Sequence, residues 1–146
     1  MLFYLDASCL NRPFDEQSQP RVRDETEAVL RILERVCAGQ DELVLSSALT
    51  VELAAHPEAE IRAELLSWKT RSRRNMTTQA PIRLRVEELV GFGFKPLDAA
   101  HVAYAESAPC DALVTCDDRL IRHARRARLA VRVIGPIEYL KETSDV

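Results

Sequence analysis

The feature that most constrains the fold of this chain is an alternation. Short apolar runs at Met1–Leu5, Leu43–Leu45, Ala112–Thr115 and Val131–Ile134 are separated by longer stretches whose apolar residues recur at helical spacing. Strands that alternate with helices imply a mainly parallel sheet covered on both faces, an α/β domain of three layers, α/β/α. In such a sheet, ligands bind beyond the carboxyl ends of the strands. A length of 146 residues suits one domain, so residues 1–146 are read as a single unit.

The helical stretches have legible limits. Arg23 to Ala38 carries Ala28, Val29, Ile32, Leu33 and Val36 on one face, with Gly39 as the stop. Ser46 or Ser47 caps a helix beginning at Ala48, which places Glu52 in its second turn. Pro57 closes that helix, and Glu58 to Lys69 forms the next, with Ile61, Leu65, Leu66 and Trp68 at helical intervals. Thr70 to Pro81 is polar and basic without periodicity, so an exposed connection is expected there. Helices follow over Ile82–Val90 and Lys95–Glu106, the second with Pro96 near its start and Asp98 in its first turn. Asp117 and Asp118 open an arginine-rich helix reaching about Arg128, and a short terminal helix contains Ile137, Tyr139 and Leu140. Cys9 to Asp15 reads as a short helical turn or loop, broken at Pro13.

Composition narrows the function classes. The four cysteines, Cys9, Cys37, Cys110 and Cys116, form no C-x-x-C pair and read as free, largely buried thiols rather than a zinc site or a disulfide framework. No apolar run approaches the roughly 20 residues that span a bilayer, and the N-terminus has no secretory pattern, so a cytoplasmic protein without a membrane partner is expected. The net charge of -3 conceals basic stretches at Lys69–Arg74 and Arg119–Arg132. No glycine-rich phosphate loop or nucleophile elbow occurs.

The chemistry therefore rests on acids. Asp6 ends an apolar strand, where an unpaired carboxylate costs several kcal/mol unless it is hydrogen-bonded, paired with a cation or holding a metal. Asp117 follows a later strand, and Glu52 and Asp98 lie early in helices that can face the same edge. Singly, each has a plainer role, as a cap, a first-turn acid or a surface residue. Together, converging carboxylates raise one another's pKa unless a cation binds, and Mg²⁺ or Mn²⁺ prefers such oxygen ligands.

The ordered set Leu5-Asp6-Ala7-Ser8, Ser46-Ser47 leading to Glu52, Lys95-Pro96-Leu97-Asp98-Ala99-Ala100-His101 and Thr115-Cys116-Asp117-Asp118-Arg119-Leu120 resembles a PIN domain. It is similar in particular to the VapC-like nucleases of bacterial toxin-antitoxin systems and their stand-alone relatives, including a branch with a segment like Leu10-Asn11-Arg12-Pro13-Phe14-Asp15. The resemblance runs nearly the length of the chain. It implies a Mg²⁺- or Mn²⁺-dependent endoribonuclease in which Asp6, Glu52, Asp98 and Asp117 are the catalytic and metal-binding acids. Ser8 and Thr115 support them, Asn11 and Arg12 are additions of the branch, and Asp118 is the alternative to Asp117. The implied partners are an RNA substrate, a cognate antitoxin whose tail enters the groove near Asp6, and a second copy in a homodimer. A PIN-fold RNA-binding or regulatory module with little turnover is the alternative.

Other candidates carry less. His101, one turn after Asp98, reads as a semi-buried structural imidazole. Arg119, Arg122 and Arg126, at i, i+3 and i+7, make one basic face beside Asp117, suited to RNA phosphates or to an acidic partner segment. A response-regulator-like receiver domain needs an acidic pair after the first strand and a lysine after a later one; Asp6 stands alone, and no lysine follows Val114 or Ile134.

Overall fold

The computed structural model describes residues 1–144, excluding the side chain of Ser144. Five strands form one sheet: β1 (Leu2–Leu5), β2 (Glu42–Ser46), β3 (Arg74–Met76), β4 (Ala112–Val114) and β5 (Arg132–Ile134). Their order is β3-β2-β1-β4-β5, and every pairing is parallel. The three central strands are apolar on both faces because helices cover both: Phe3, Tyr4, Leu5, Leu43, Val44, Leu45, Leu113 and Val114 are wholly buried. The helices are α1 (Ala7–Asn11), α2 (Pro20–Cys37), α3 (Ser47–Ala54), α4 (Ala59–Leu66), α5 (Trp68–Arg71), α6 (Ala80–Gly91), α7 (Pro96–Ser107), α8 (Asp118–Arg125) and α9 (Pro136–Ser144). Helix α2 packs on α9, and α6 on α7. The result is the expected three-layer α/β/α arrangement.

Local chemistry sets the helix limits. Proline occupies the first position of α2, α7 and α9, where its missing N–H costs nothing. Helix α2 stops because Gly39 takes φ +75°, a left-handed conformation that closes the last turn, its N–H donating to the Val36 carbonyl at 3.1 Å. Ser46, not Ser47, caps α3, accepting from the Leu49 N–H at 3.1 Å.

Three boundaries and the burial of one cysteine differ from the sequence reading. The connection expected over Thr70–Pro81 contains an edge strand, β3, which pairs with β2 from Val44↔Arg74 to Ser46↔Met76. It is three residues long and largely exposed, so no apolar alternation betrays it. The helix expected over Glu58–Lys69 breaks at Ser67, whose hydroxyl donates to the Glu64 carbonyl at 2.6 Å, in competition with the helix ladder. Helix α8 ends at Arg125 rather than about Arg128. Among the cysteines, Cys9, Cys110 and Cys116 are buried free thiols, but Cys37 is exposed at the end of α2.

Register positions the candidate site. The pairing Leu5↔Val114 places the next residues, Asp6 and Thr115, side by side past the carboxyl ends of β1 and β4. Asp6 N–H extends the ladder to the Val114 carbonyl (3.2 Å), and Thr115 N–H to that of Ile134 (2.9 Å).

Candidate active site at the carboxyl end of the sheet

Asp6 is 6 % exposed and, among the described residues, has no basic side chain in hydrogen-bond contact. Its Oδ1 accepts from the Ser8 hydroxyl at 2.6 Å and from the Cys9 N–H at 3.2 Å, so the same carboxylate also caps α1. Its Oδ2 accepts from the Thr115 hydroxyl at 2.5 Å. Each hydroxyl then accepts a backbone N–H from the segment after β4: Cys116 donates to Ser8 Oγ and Asp117 to Thr115 Oγ1, both at 3.0 Å. Two hydroxyls thereby stitch the end of β1 to the end of β4. Burial raises the Asp6 carboxyl above the usual range, and the Ser8 and Thr115 donors, His101 and the Cys9 N–H offset that only in part.

Asp98, half-buried in the first turn of α7, is also pushed up. Burial is the main cause, followed by repulsion from Asp117; Asp6 adds to it, while His101 and Lys95 oppose it. Asp98 therefore lies within electrostatic reach of both Asp117 and Asp6. Asp117 caps α8 through Oδ1, which accepts from the N–H groups of Arg119 (2.9 Å) and Leu120 (3.4 Å). Glu52 reaches the group through His101, whose Nε2 lies 3.0 Å from Glu52 Oε1. Tyr4 Oη contacts His101 Nδ1 and Ser46 Oγ, both at 2.6 Å.

The remaining candidates divide by what already engages them. Asp118 turns away into a bidentate pair with Arg21, 2.7 Å on each side, which lowers its carboxyl below the usual range. Arg12 is held by Glu25 (2.6 and 3.1 Å) and Asp15 (3.2 Å), so its guanidinium braces α2 rather than facing outward free. Asn11 donates to the Ala7 carbonyl at 3.0 Å, leaving its Oδ1 as the buried side-chain polar atom without a partner among the described residues. Arg119, Arg122 and Arg126 are exposed, with Arg126 at the C-cap of α8. Sequence reasoning missed Tyr4 and Ser46 and assigned His101 only to packing. A tyrosine inside an apolar strand was the available signal, since a buried phenol hydroxyl needs a partner.

The donor set suits a hard divalent cation: oxygen ligands only, with mutual repulsion at Asp98 that a cation relieves. Among the described residues, however, no three His, Cys, Asp or Glu side chains gather into a ready metal-holding group. Asp6 Oδ1 already accepts two hydrogen bonds and Oδ2 one, which leaves an Oδ2 lone pair for an ion.

Known proteins place this arrangement. A search of curated proteins found no match. Among solved structures, the chain is similar to VapBC-1 from nontypeable Haemophilus influenzae (15% identity, 94% of this chain and 99% of that one, TM-score 0.61). It is also similar to VapBC2 from Rickettsia felis, bound to a DNA fragment from their promoter (14% identity, 92% and 98%, TM-score 0.56), and to PAE2754 from Pyrobaculum aerophilum (15% identity, 100% and 91%, TM-score 0.57). At these identities the likeness is one of fold. A PIN domain profile matches residues 3–126, most of the length, and the chain belongs to the PIN domain family.

Proposed function

We propose that this chain is a Mg²⁺- or Mn²⁺-dependent endoribonuclease, the toxin of a VapBC-like pair. The observation that carries the reading is the gathering of Asp6, Asp98 and Asp117 at the strand ends of a PIN fold, where burial first, and then repulsion from Asp117 and Asp6, lifts the Asp98 carboxyl. Asp6, Asp98 and Asp117 with Glu52 would hold the metal, which would supply activation of a water and charge compensation at the phosphodiester. The protein's own part is positional: Ser8 and Thr115 fix both oxygens of Asp6, and the α8 N-terminus fixes Asp117. Exposed Arg119, Arg122 and Arg126 draw the RNA backbone toward an otherwise repelling acidic edge. Asp118 and Arg12 keep lesser, structural roles, and Asn11 Oδ1 has free acceptor capacity. In-line attack by water leaves a 5′-phosphate and a 3′-hydroxyl.

The test is cleavage of structured RNA by the purified chain with Mg²⁺ or Mn²⁺, abolished by EDTA and by Asp6→Asn. A second reading, a PIN-fold RNA-binding or regulatory module with little turnover, is favoured by the lack of a ready three-residue metal group among the described residues. RNA binding without metal-dependent cleavage would establish it. The similarity to VapBC structures supports an antitoxin partner and a homodimer. Co-purification with the product of a short reading frame overlapping upstream tests the first; the mass of the purified chain in solution tests the second.

A further inference from the structure

Three elements each contribute one acid to the candidate site and one polar residue behind it. β1 carries Tyr4 two residues before Asp6, α7 carries His101 three after Asp98, and the β2–α3 junction carries Ser46 six before Glu52. The three polar residues are buried and joined in a line that ends on Glu52: Ser46 Oγ to Tyr4 Oη (2.6 Å), Tyr4 Oη to His101 Nδ1 (2.6 Å), His101 Nε2 to Glu52 Oε1 (3.0 Å). His101 is 2 % exposed, whereas the Glu52 side chain is 34 % exposed and faces out of the relay.

Only one proton order satisfies every member with a neutral imidazole. An ionised Glu52 accepts and cannot donate, so Nε2 carries the ring proton. Nδ1 is then an acceptor, and Tyr4 must donate to it. Tyr4 Oη in turn accepts from the Ser46 hydroxyl. Ser46 Oγ accepts the Leu49 N–H that caps α3. Reversing the order turns a bare Nε2 toward a carboxylate 3.0 Å away, acceptor against acceptor.

We propose that Tyr4 and His101 are positioning residues: a one-way hydrogen-bond relay that locks the imidazole in its Nε2–H tautomer and holds Glu52 Oε1 toward the metal-binding acids. Its consequence for metal and RNA rests on the nuclease reading; the proton order does not. A metal-site carboxylate steered by a hydrogen-bonded partner commonly loses ten- to a hundredfold in affinity or activity when that partner is removed. The structural alternative, a histidine that merely fills space, requires no particular tautomer and no coupling to Glu52.

The test uses the full chain labelled with ¹⁵N at histidine. At a pH where the ring is neutral, long-range proton–nitrogen spectra are expected to show His101 protonated at Nε2 and bare at Nδ1, with Nε2 shifting in Glu52→Gln. A neutral ring protonated at Nδ1, or a His101 signal indifferent to Glu52→Gln, would overturn the relay. Mn²⁺ affinity, read by calorimetry, should weaken about tenfold in His101→Leu and recover in His101→Gln, whose amide N–H takes the Nε2 position. A folded His101→Leu chain that binds Mn²⁺ as tightly as the parent would also overturn it. If His101→Leu fails to fold, Tyr4→Phe, which removes both the donor to Nδ1 and the acceptor of the Ser46 hydroxyl, supplies the comparison: weakened Mn²⁺ binding supports the relay and unchanged binding overturns it. A parent that binds no Mn²⁺ and cleaves no RNA sinks the nuclease reading, while the tautomer still decides the relay.

Discussion

Two buried aspartates stand at opposite ends of the same sheet, and their company differs in kind. Asp41, 3 % exposed, immediately precedes β2 at the amino end; Asp6, 6 % exposed, immediately follows β1 at the carboxyl end. Asp41 is surrounded by cations: Arg35 Nε at 2.8 Å and the Met1 amino group at 2.7 Å, with the Tyr139 hydroxyl at 3.1 Å. Burial alone would lift its carboxyl, but Arg35 and the ammonium outweigh it, and the group sits below the usual carboxylate range. Asp6 receives only neutral donors, and its carboxyl is displaced upward. One site is electrically closed; the other is a buried carboxyl without a cation in hydrogen-bond contact among the described residues, at the edge where parallel sheets bind ligands. Similar burial therefore separates a structural carboxylate from a candidate functional one only when the sign of the partners is considered.

The comparison breaks most sharply if the two acids are neutralised in turn. Asp6→Asn keeps an acceptor for one of the two hydroxyls and offers an amide N–H to the other. That hydroxyl can turn to accept it because Ser8 Oγ and Thr115 Oγ1 lie 3.3 Å apart, so the chain should fold with a melting temperature close to the parent's. Metal-dependent RNA cleavage should fall roughly a thousandfold or more, at the upper end of what removing one preorganised electrostatic group costs. Full activity in a pure Asp6→Asn preparation would defeat the assignment.

Asp41→Asn should do the reverse. Asp41 is the buried member of pairs whose cations, Arg35 and the Met1 amino group, are partly exposed, so losing its charge-assisted hydrogen bonds should cost about 2 kcal/mol in denaturant unfolding. Cleavage measured below the melting temperature should be unchanged, because the residue lies at the far end of the sheet. An equal loss of cleavage would mean that the two ends are not independent.

Acid titration sharpens the same contrast. A carboxyl whose folded pKa lies below its unfolded value, about 4, contributes stability that is fully present above that value and lost as pH falls through the lower, folded one. Asp41 is of this type. The stability gap between the parent and Asp41→Asn should therefore be constant above about pH 5 and narrow steadily below about pH 4. A gap independent of pH through that range would show that Asp41 acts by packing rather than by charge.

Much of this arrangement was legible from the residues. Apolar runs ending in Asp6 and Thr115 announced the central strands and pointed to the candidate edge, because a carboxylate is poorly tolerated inside a buried parallel strand. Strand β3 was not legible, since a partly exposed edge strand of Arg74, Asn75 and Met76 has no burial pattern to display. The relay from Ser46 to Glu52 was hidden for another reason. Its members lie 42, 97 and 49 positions apart along the chain at successive links, so no local spacing encodes them. Only the lateral register of β2, β1 and helix α7 brings them together.

The adjacent acids Asp117 and Asp118 repeat the contrast at a smaller scale. Asp118 pairs with Arg21 through both oxygens in an exposed position, whereas Asp117 accepts only backbone N–H groups and repels Asp98. Asparagine caps helices as well as aspartate does, so Asp117→Asn should preserve α8 while lowering cleavage about a hundredfold. Asp118→Asn leaves Arg21 exposed to water, where an ion pair is worth under about 1 kcal/mol, and its cleavage should remain within about threefold of the parent. A larger loss from Asp118→Asn than from Asp117→Asn would exchange their roles, and would show that an acid already paired with arginine is released toward the metal when RNA binds.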